Sequence, residues 1–143
     1  MAKLGEFKAE DFFKFRDNVE KALKDNVIDA WMEEILLELA FRAERKIKKR
    51  TPVNKDPKVI GGHLRRNWKV GSVTKKGASY SVEIYNNVEY ASYVEYGHRT
   101  RDHKKWIEGR FMATISLEEV ERESVKFIER KQAELLNKIL GGK

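Results

Sequence analysis

The chain contains no cysteine. Disulfides, Cys-ligated zinc, iron–sulfur clusters and thiol nucleophiles are therefore excluded. Proline is scarce, with 2 among 143 residues, and both, Pro52 and Pro57, fall in one stretch. No apolar run approaches the roughly 18–20 residues that span a bilayer. Residues 1–11 carry no apolar stretch of signal-peptide type. These absences predict a soluble protein made in a cytoplasm. Catalytic signatures are missing too. Gly61-Gly62 is not followed by Lys-Ser or Lys-Thr, so it is no P-loop. There is no Gly-x-Ser-x-Gly elbow and no carboxylate set with calcium-loop spacing. The three histidines, His63, His98 and His103, lack the spacing of zinc ligands on ordered elements. No enzyme, metal or cofactor is expected.

What is present is charge. Lys and Arg number 30 against 23 Asp and Glu, a net +7. Most charges alternate in sign, as on a solvated surface, but four stretches are basic: 46–50, 65–66, 75–76 and 98–105. Such stretches suit nucleic acid or an acidic protein surface. Hydrophobic residues make up 41%, enough for a core. The length suits one domain, 1–143, with loops expected to be flexible at about 51–64 and 98–108.

The patterning predicts α+β architecture. Phe12, Phe15, Val19 and Leu23 share one face of a helix over 6–24, closed by Asp25 or Asn26. Val27, Trp31, Ile35, Leu39, Ala43 and Ile47 step by four along a helix over 27–50, and Ile28, Met32 and Leu36 widen the stripe. Thr51-Pro52 stops it. Alternation at Tyr80, Val82 and Ile84 and turns near Gly77 and Asn86-Asn87 predict a hairpin over 66–86, with a third strand from Val88. Residues 88–97 fit either a strand or a helix capped by Gly97. A last helix runs from 109 or 116 to 140, where Ser116 and Glu119 have capping-box spacing. Its buried side is marked by Val120, Phe127, Ile128, Leu135 and Ile139, and Gly141-Gly142 ends it. The expected fold is a small antiparallel β-sheet at about 66–96, packed by two N-terminal helices and a long C-terminal helix.

Tyr80, Tyr85, Tyr90, Tyr93 and Tyr96 crowd together. Buried tyrosine hydroxyls need partners, so five exceed what one small core takes. Tyr, Trp and Arg also anchor protein interfaces, which accounts for the surplus. The basic loop with Trp106 at its end leaves a second reading open: an RNA-binding module or a small ribonuclease toxin using His98, His103 or Arg99.

Two motifs carry a resemblance. Thr51-Pro52-Val53-Asn54 followed by Gly62-His63-Leu64-Arg65-Arg66-Asn67-Trp68 resembles a TPVDTG-x-LRRSW signature. Residues 88–100, VEYASYVEYGHRT, resemble its companion VEYAPYVEYGT, and Gly109-Arg110-Phe111-Met112 is similar to the segment that opens the family's last helix. The family is that of tailed-phage neck or tail-completion proteins, also termed tail components and found in PBSX-type prophages. Asn54 stands for the usual Asp, Ser92 for proline, and about six extra residues lie near 55–61.

The resemblance implies a virion part at the head–tail junction, assembled in the host bacterial cytoplasm. It implies a cyclic ring of self-contacts, taken as a hexamer, seated between tail terminator or tube and head-closure or connector proteins. DNA would pass through without sequence recognition, and no membrane is involved. It implies no enzyme. Interface or structural roles fall to Arg65, Arg66, Trp68, Tyr90, Tyr93, Glu95, Tyr96, Gly97, His98 and Arg99, with Glu95 expected to pair with an arginine at 65, 66 or 99. The loop 98–108 and the insertion at 55–61 are candidates for docking other virion proteins or lining the channel.

Overall fold

The computed structural model describes residues 9–58 and 61–141. Among these residues, five helices and six short strands follow in the order α1 (Ala9–Lys24), α2 (Val27–Arg50), α3 (His63–Arg66), β1 (Trp68–Val70), β2 (Thr74–Lys76), β3 (Ser79–Ser81), β4 (Ile84–Asn86), α4 (Ala91–Tyr96), β5 (Gly97–Arg99), β6 (Trp106–Glu108) and α5 (Met112–Ile139). The class is α+β, with N-terminal helices, small antiparallel ribbons and a long C-terminal helix.

The described chain divides into two compact units. The first holds the residues up to Ile35 and those from Lys126 on; the second is Leu36–Val125. Both boundaries fall inside α2 and α5.

In the first unit, Asn26 takes a left-handed conformation (φ 56°) that breaks the chain between α1 and α2, and its carbonyl starts α2 by accepting from the Ala30 amide. Asn tolerates this region better than most residues. The Trp31 indole donates to the Lys131 carbonyl at 3.2 Å. Phe127 is buried beneath the cations of Arg130 and Lys131, at 5.7 and 5.8 Å from the ring centre. The stripe expected on α1 is not its buried face: Phe15 and Leu23 are exposed and Ala22 is buried. Small Ala22 lines one concavity together with Val27 and Ile139. The side chain of Phe12, assigned to that stripe, lies outside the described residues.

The second unit is built on Ile47, Leu64, Trp68 and Met112, with Ile84, Val88, Ala91, Val94 and Ala113 packed around them. Thr51 joins the pieces. It is fully buried at the end of α2, and its hydroxyl donates to the Ile47 carbonyl at 2.7 Å while accepting from the Trp68 indole at 2.9 Å. Its carbonyl, freed because Pro52 cannot continue the helix, accepts both Nε and Nη2 of Arg65. One residue thus binds α2, α3 and β1.

The hairpin over 66–86 is present but interrupted. β1 pairs antiparallel with β4 (Trp68 with Asn86), and β2 with β3 (Thr74 with Ser81). No strand starts at Val88. Asn86 turns the chain instead, its side-chain oxygen accepting from the Val88 amide at 3.0 Å. Residues 91–96 are helical, which resolves the ambiguity of 88–97. The segment 98–108, expected as a loop, is a hairpin whose strands β5 and β6 pair Gly97 with Glu108. Its residues alternate poorly because both faces are largely exposed, so the sequence carries no period-two signal.

Helix α5 starts at Met112, between the two starts that the sequence allows. Ser116 is not its cap. It lies a turn inside, fully buried, donates to the Met112 carbonyl and accepts from Arg50 at 3.1 Å. Glu119 accepts from Arg50 and, at 3.1 Å, from Lys46, which also reaches Glu123 at 3.0 Å. Arg50, and after it Lys46, holds the Glu119 carboxyl below the usual carboxylate range. Glu123 first, then Glu119, raises Lys46 above the ordinary lysine value.

Two predictions follow from these contacts. Thr51→Val leaves the buried indole N–H of Trp68 without an acceptor and should cost about 1–3 kcal/mol in denaturant unfolding. In a double-mutant cycle with Trp68→Phe, the two losses should be less than additive. The second concerns pH. A carboxyl whose folded value is depressed stabilises the fold above its unfolded value, and that contribution is lost as pH falls through the folded value. Thermal stability should therefore drop on acidification through and below the carboxylate range. The Glu119→Gln variant should show a shallower drop. The raised Lys46 works in the opposite sense, its share being lost only as pH climbs through the lysine range.

Candidate docking surface

The ten residues singled out from the sequence separate into an inner and an outer set. Trp68 and Glu95 are buried, and Arg65 is turned inward onto Thr51. Arg66 is exposed and donates to the Gly61 carbonyl at 2.8 Å. Tyr90, Tyr93 and Tyr96 are exposed, Tyr96 to 64%. Arg99 is exposed on β5 and His98 half-buried beside Tyr93, with ring centres 5.7 Å apart. The Nδ1 of His98 is enclosed and, among the described residues, has no hydrogen-bond partner.

Glu95 makes no arginine pair. Its carboxylate accepts from the backbone amides of Ala113 and Thr114 at 2.9 and 2.8 Å, and from the Thr114 hydroxyl at 2.7 Å. It therefore caps α5 from outside that helix. The first-turn amides of a helix lack internal partners, and the positive end of the helix dipole favours a carboxylate. An arginine could not offer a better site at this depth, because its own desolvation would have to be offset as well. The capping residue comes from α4, so no local spacing around 112–116 could reveal it. The backbone extends the same joint: the Arg110 amide donates to the Val94 carbonyl at 2.7 Å and the Phe111 amide to the Glu95 carbonyl at 3.0 Å.

Gly97 and Gly109 make the crossing possible. Gly97 has φ +88°, and a methyl group there would lie 2.5 Å from the Ile107 carbonyl oxygen. One on Gly109 would lie 2.4 Å from the Glu95 carbonyl oxygen. Only glycine allows the two backbones to come this close.

Over this joint stands an exposed face of α4, the β5–β6 hairpin and the start of α5. Tyr96 meets Phe111 edge-on, with ring centres 6.5 Å apart. Trp106, Ile107 and Phe111 are exposed beside the tyrosines, and Trp106 covers Gly97. At its far end the hairpin turn is closed by Thr100, whose amide donates to the Lys105 carbonyl at 2.8 Å. Asp102 accepts from the Thr100 hydroxyl and, at 3.2 Å, from the Lys104 amide. Both hold its carboxyl below the usual range. A concavity of about 360 Å³ lies between Arg99, His103, Lys104, Lys105 and Trp106.

Trp106 was singled out in the sequence with the basic loop, and Ile107 only as part of the 98–108 segment; Phe111 was given no site role. The signal that marks Trp106 and Ile107 together is two large apolar residues directly after a basic run, in a chain whose core is already accounted for. Apolar surface grouped with cations and aromatics is chemistry for gripping another macromolecule. Among the described residues no three His, Asp or Glu side chains gather into a cation site, and no helix is long and apolar enough to cross a membrane.

Residues 13–97 match the model of a protein family described as "Bacteriophage HK97-gp10, putative tail-component". The chain belongs to this family. The match takes in the 51–68 motif and residues 88–97 of the second motif, and stops at Gly97, ahead of the β5–β6 turn and α5. The resemblance read from the sequence agrees with it at the level of a phage tail component. No curated protein and no solved structure matches the chain. As a tail component the protein has a structural role in a virion, with other virion proteins as partners.

The joint gives a direct prediction. Glu95→Gln keeps one acceptor oxygen but loses the charge, and Glu95→Ala removes the cap. Losses of about 1 and about 2 kcal/mol are expected in chemical denaturation. In the alanine variant, amide exchange at Ala113 and Thr114 should accelerate more than at Val120.

Proposed function

We propose that this tail component acts at the head–tail junction, as a ring subunit that joins the end of the tail tube to the head connector while the genome passes through the centre. The observation that carries the reading is the exposed aromatic and basic face, fixed to the fold by Glu95 and the Gly97–Gly109 crossing. A face so rich in Tyr and Trp, with few carboxylates beside it, suits protein contacts more than catalysis. The face meets different surfaces on its neighbours, and heterologous contacts of this kind close into rings when the rotation allows. The order of the motifs and the family match both support a virion part. The ring would be a hexamer, bounded by tail-terminator or tube proteins on one side and head-closure or connector proteins on the other. Polar, salt-sensitive contacts would hold free subunits together only weakly, so that rings close on a template.

Electron microscopy of particles induced from cells lacking the gene tests this. Heads and complete but unjoined tails are expected. Joined, normal particles would overturn the reading.

A further inference from the structure

The β5–β6 hairpin and the neighbouring residue Arg110 carry Arg99, Arg101, Lys104, Lys105 and Arg110 against Asp102 and Glu108. Among the described residues none of these five cations makes an ion pair. Beside them Trp106, Ile107 and Phe111 are exposed. An unpaired basic patch with exposed apolar side chains calls for a surface of acidic residues and apolar side chains. The same unit contains one. Helix α5 buries Met112, Ser116 and Val120 and directs Glu119 and Glu123 to Lys46 and Arg50. Its helical period of 3.6 puts Glu118, Glu121 and Val125 on the opposite side, with the exposed Arg122 at that side's edge. All three are exposed, as is Leu117 on the flank, and among the described residues neither glutamate is in an ion pair.

We infer that the β5–β6 hairpin of one copy docks on the outer face of α5 of a second copy. The inference rests on the ring reading and names the contact within it. Lys104 and Lys105 meet Glu118 and Glu121, while Trp106, on the face of the ribbon it shares with Arg99, covers Leu117 and Val125. The two patches differ, so each copy uses both and the contact runs head to tail. The turn bonded at Thr100 holds the backbone of the two lysines in place, which lowers the entropy lost on docking.

The test uses the full chain. Equal amounts of 15N-labelled and unlabelled protein are cross-linked with a zero-length carbodiimide at low salt. Mixed-label amide links from Lys104 or Lys105 to Glu118 or Glu121 are expected, and they should fade as salt rises. Sedimentation then follows the charge swap. K104E/K105E and E118K/E121K should each weaken self-association by about tenfold or more, and the combination should recover most of it, as charge-paired contacts do. A chain that stays monomeric to millimolar concentration overturns the inference. So does a combined variant no better than either parent. Duplex DNA binding lost in K104E/K105E while self-association is unchanged would assign the hairpin to nucleic acid and also overturn it. The junction reading is judged separately by the gene-deletion particles, so the failure of one is distinguishable from the failure of the other.

Discussion

The carboxylate of Glu95 on the amino end of α5 is the interaction from which the outer surface of this tail component is organised. It is a buried charge, and such a charge needs full compensation. Two backbone amides and a hydroxyl supply it. Because the acceptor sits on α4 and the donors on α5, satisfying the charge fixes one helix against the start of the other. The close backbone crossing at Gly97 and Gly109 follows from that docking, and with it the position of the β5–β6 hairpin. Thr51 does comparable work deeper in the unit. Its hydroxyl and carbonyl tie the end of α2 to Arg65 and Trp68, so the Thr-Pro and Leu-Arg-Arg motifs are two halves of one hydrogen-bonded cluster.

Charge in this chain has two fates. Between α2 and α5, cations and carboxylates are matched: Lys46 and Arg50 against Glu119 and Glu123. Exposed pairs of this kind add modestly to stability, but as a connected set they fix which faces of the two helices meet. On the hairpin, cations outnumber carboxylates, and on the outer side of α5 Glu118 and Glu121 lie exposed. The excess of basic residues in the composition therefore belongs to particular surfaces, not to a uniformly solvated one.

Much of the fold was legible in the sequence because its signals were local. The four-residue step from Val27 to Ile47 produced α2, and Thr51-Pro52 marked its end. Alternation near Tyr80 located the hairpin. The features that were not legible depend on partners distant in the chain. Glu95 looks like a surface carboxylate until α5 is brought to it. Ser116 and Glu119 mimic a capping box, yet they face Arg50, 66 and 69 positions earlier. Tyr90, Tyr93 and Tyr96 were recognised as surplus to a core, since five tyrosines cannot all find buried partners. Trp106 was noted beside the basic run, but the hairpin that carries it and Ile107 was not, because a ribbon exposed on both faces has no periodicity to reveal it. On α1 the large residues drew attention away from Ala22, where small size rather than hydrophobicity decides the packing.

The paired glycines also bear on how this protein can change. Since the chain enters the hairpin at Gly97 and leaves it at Gly109 with the two backbones in contact, the segment 98–108 is closed at its base like a cassette. Lengthening such a loop costs little, about 0.6 kcal/mol for each doubling, so long as its ends stay put. Neither α4 nor α5 would need to move. The hairpin can thus be exchanged for one of another length or charge while the fold beneath it is untouched, and a related particle could acquire a new neighbour by altering this one segment.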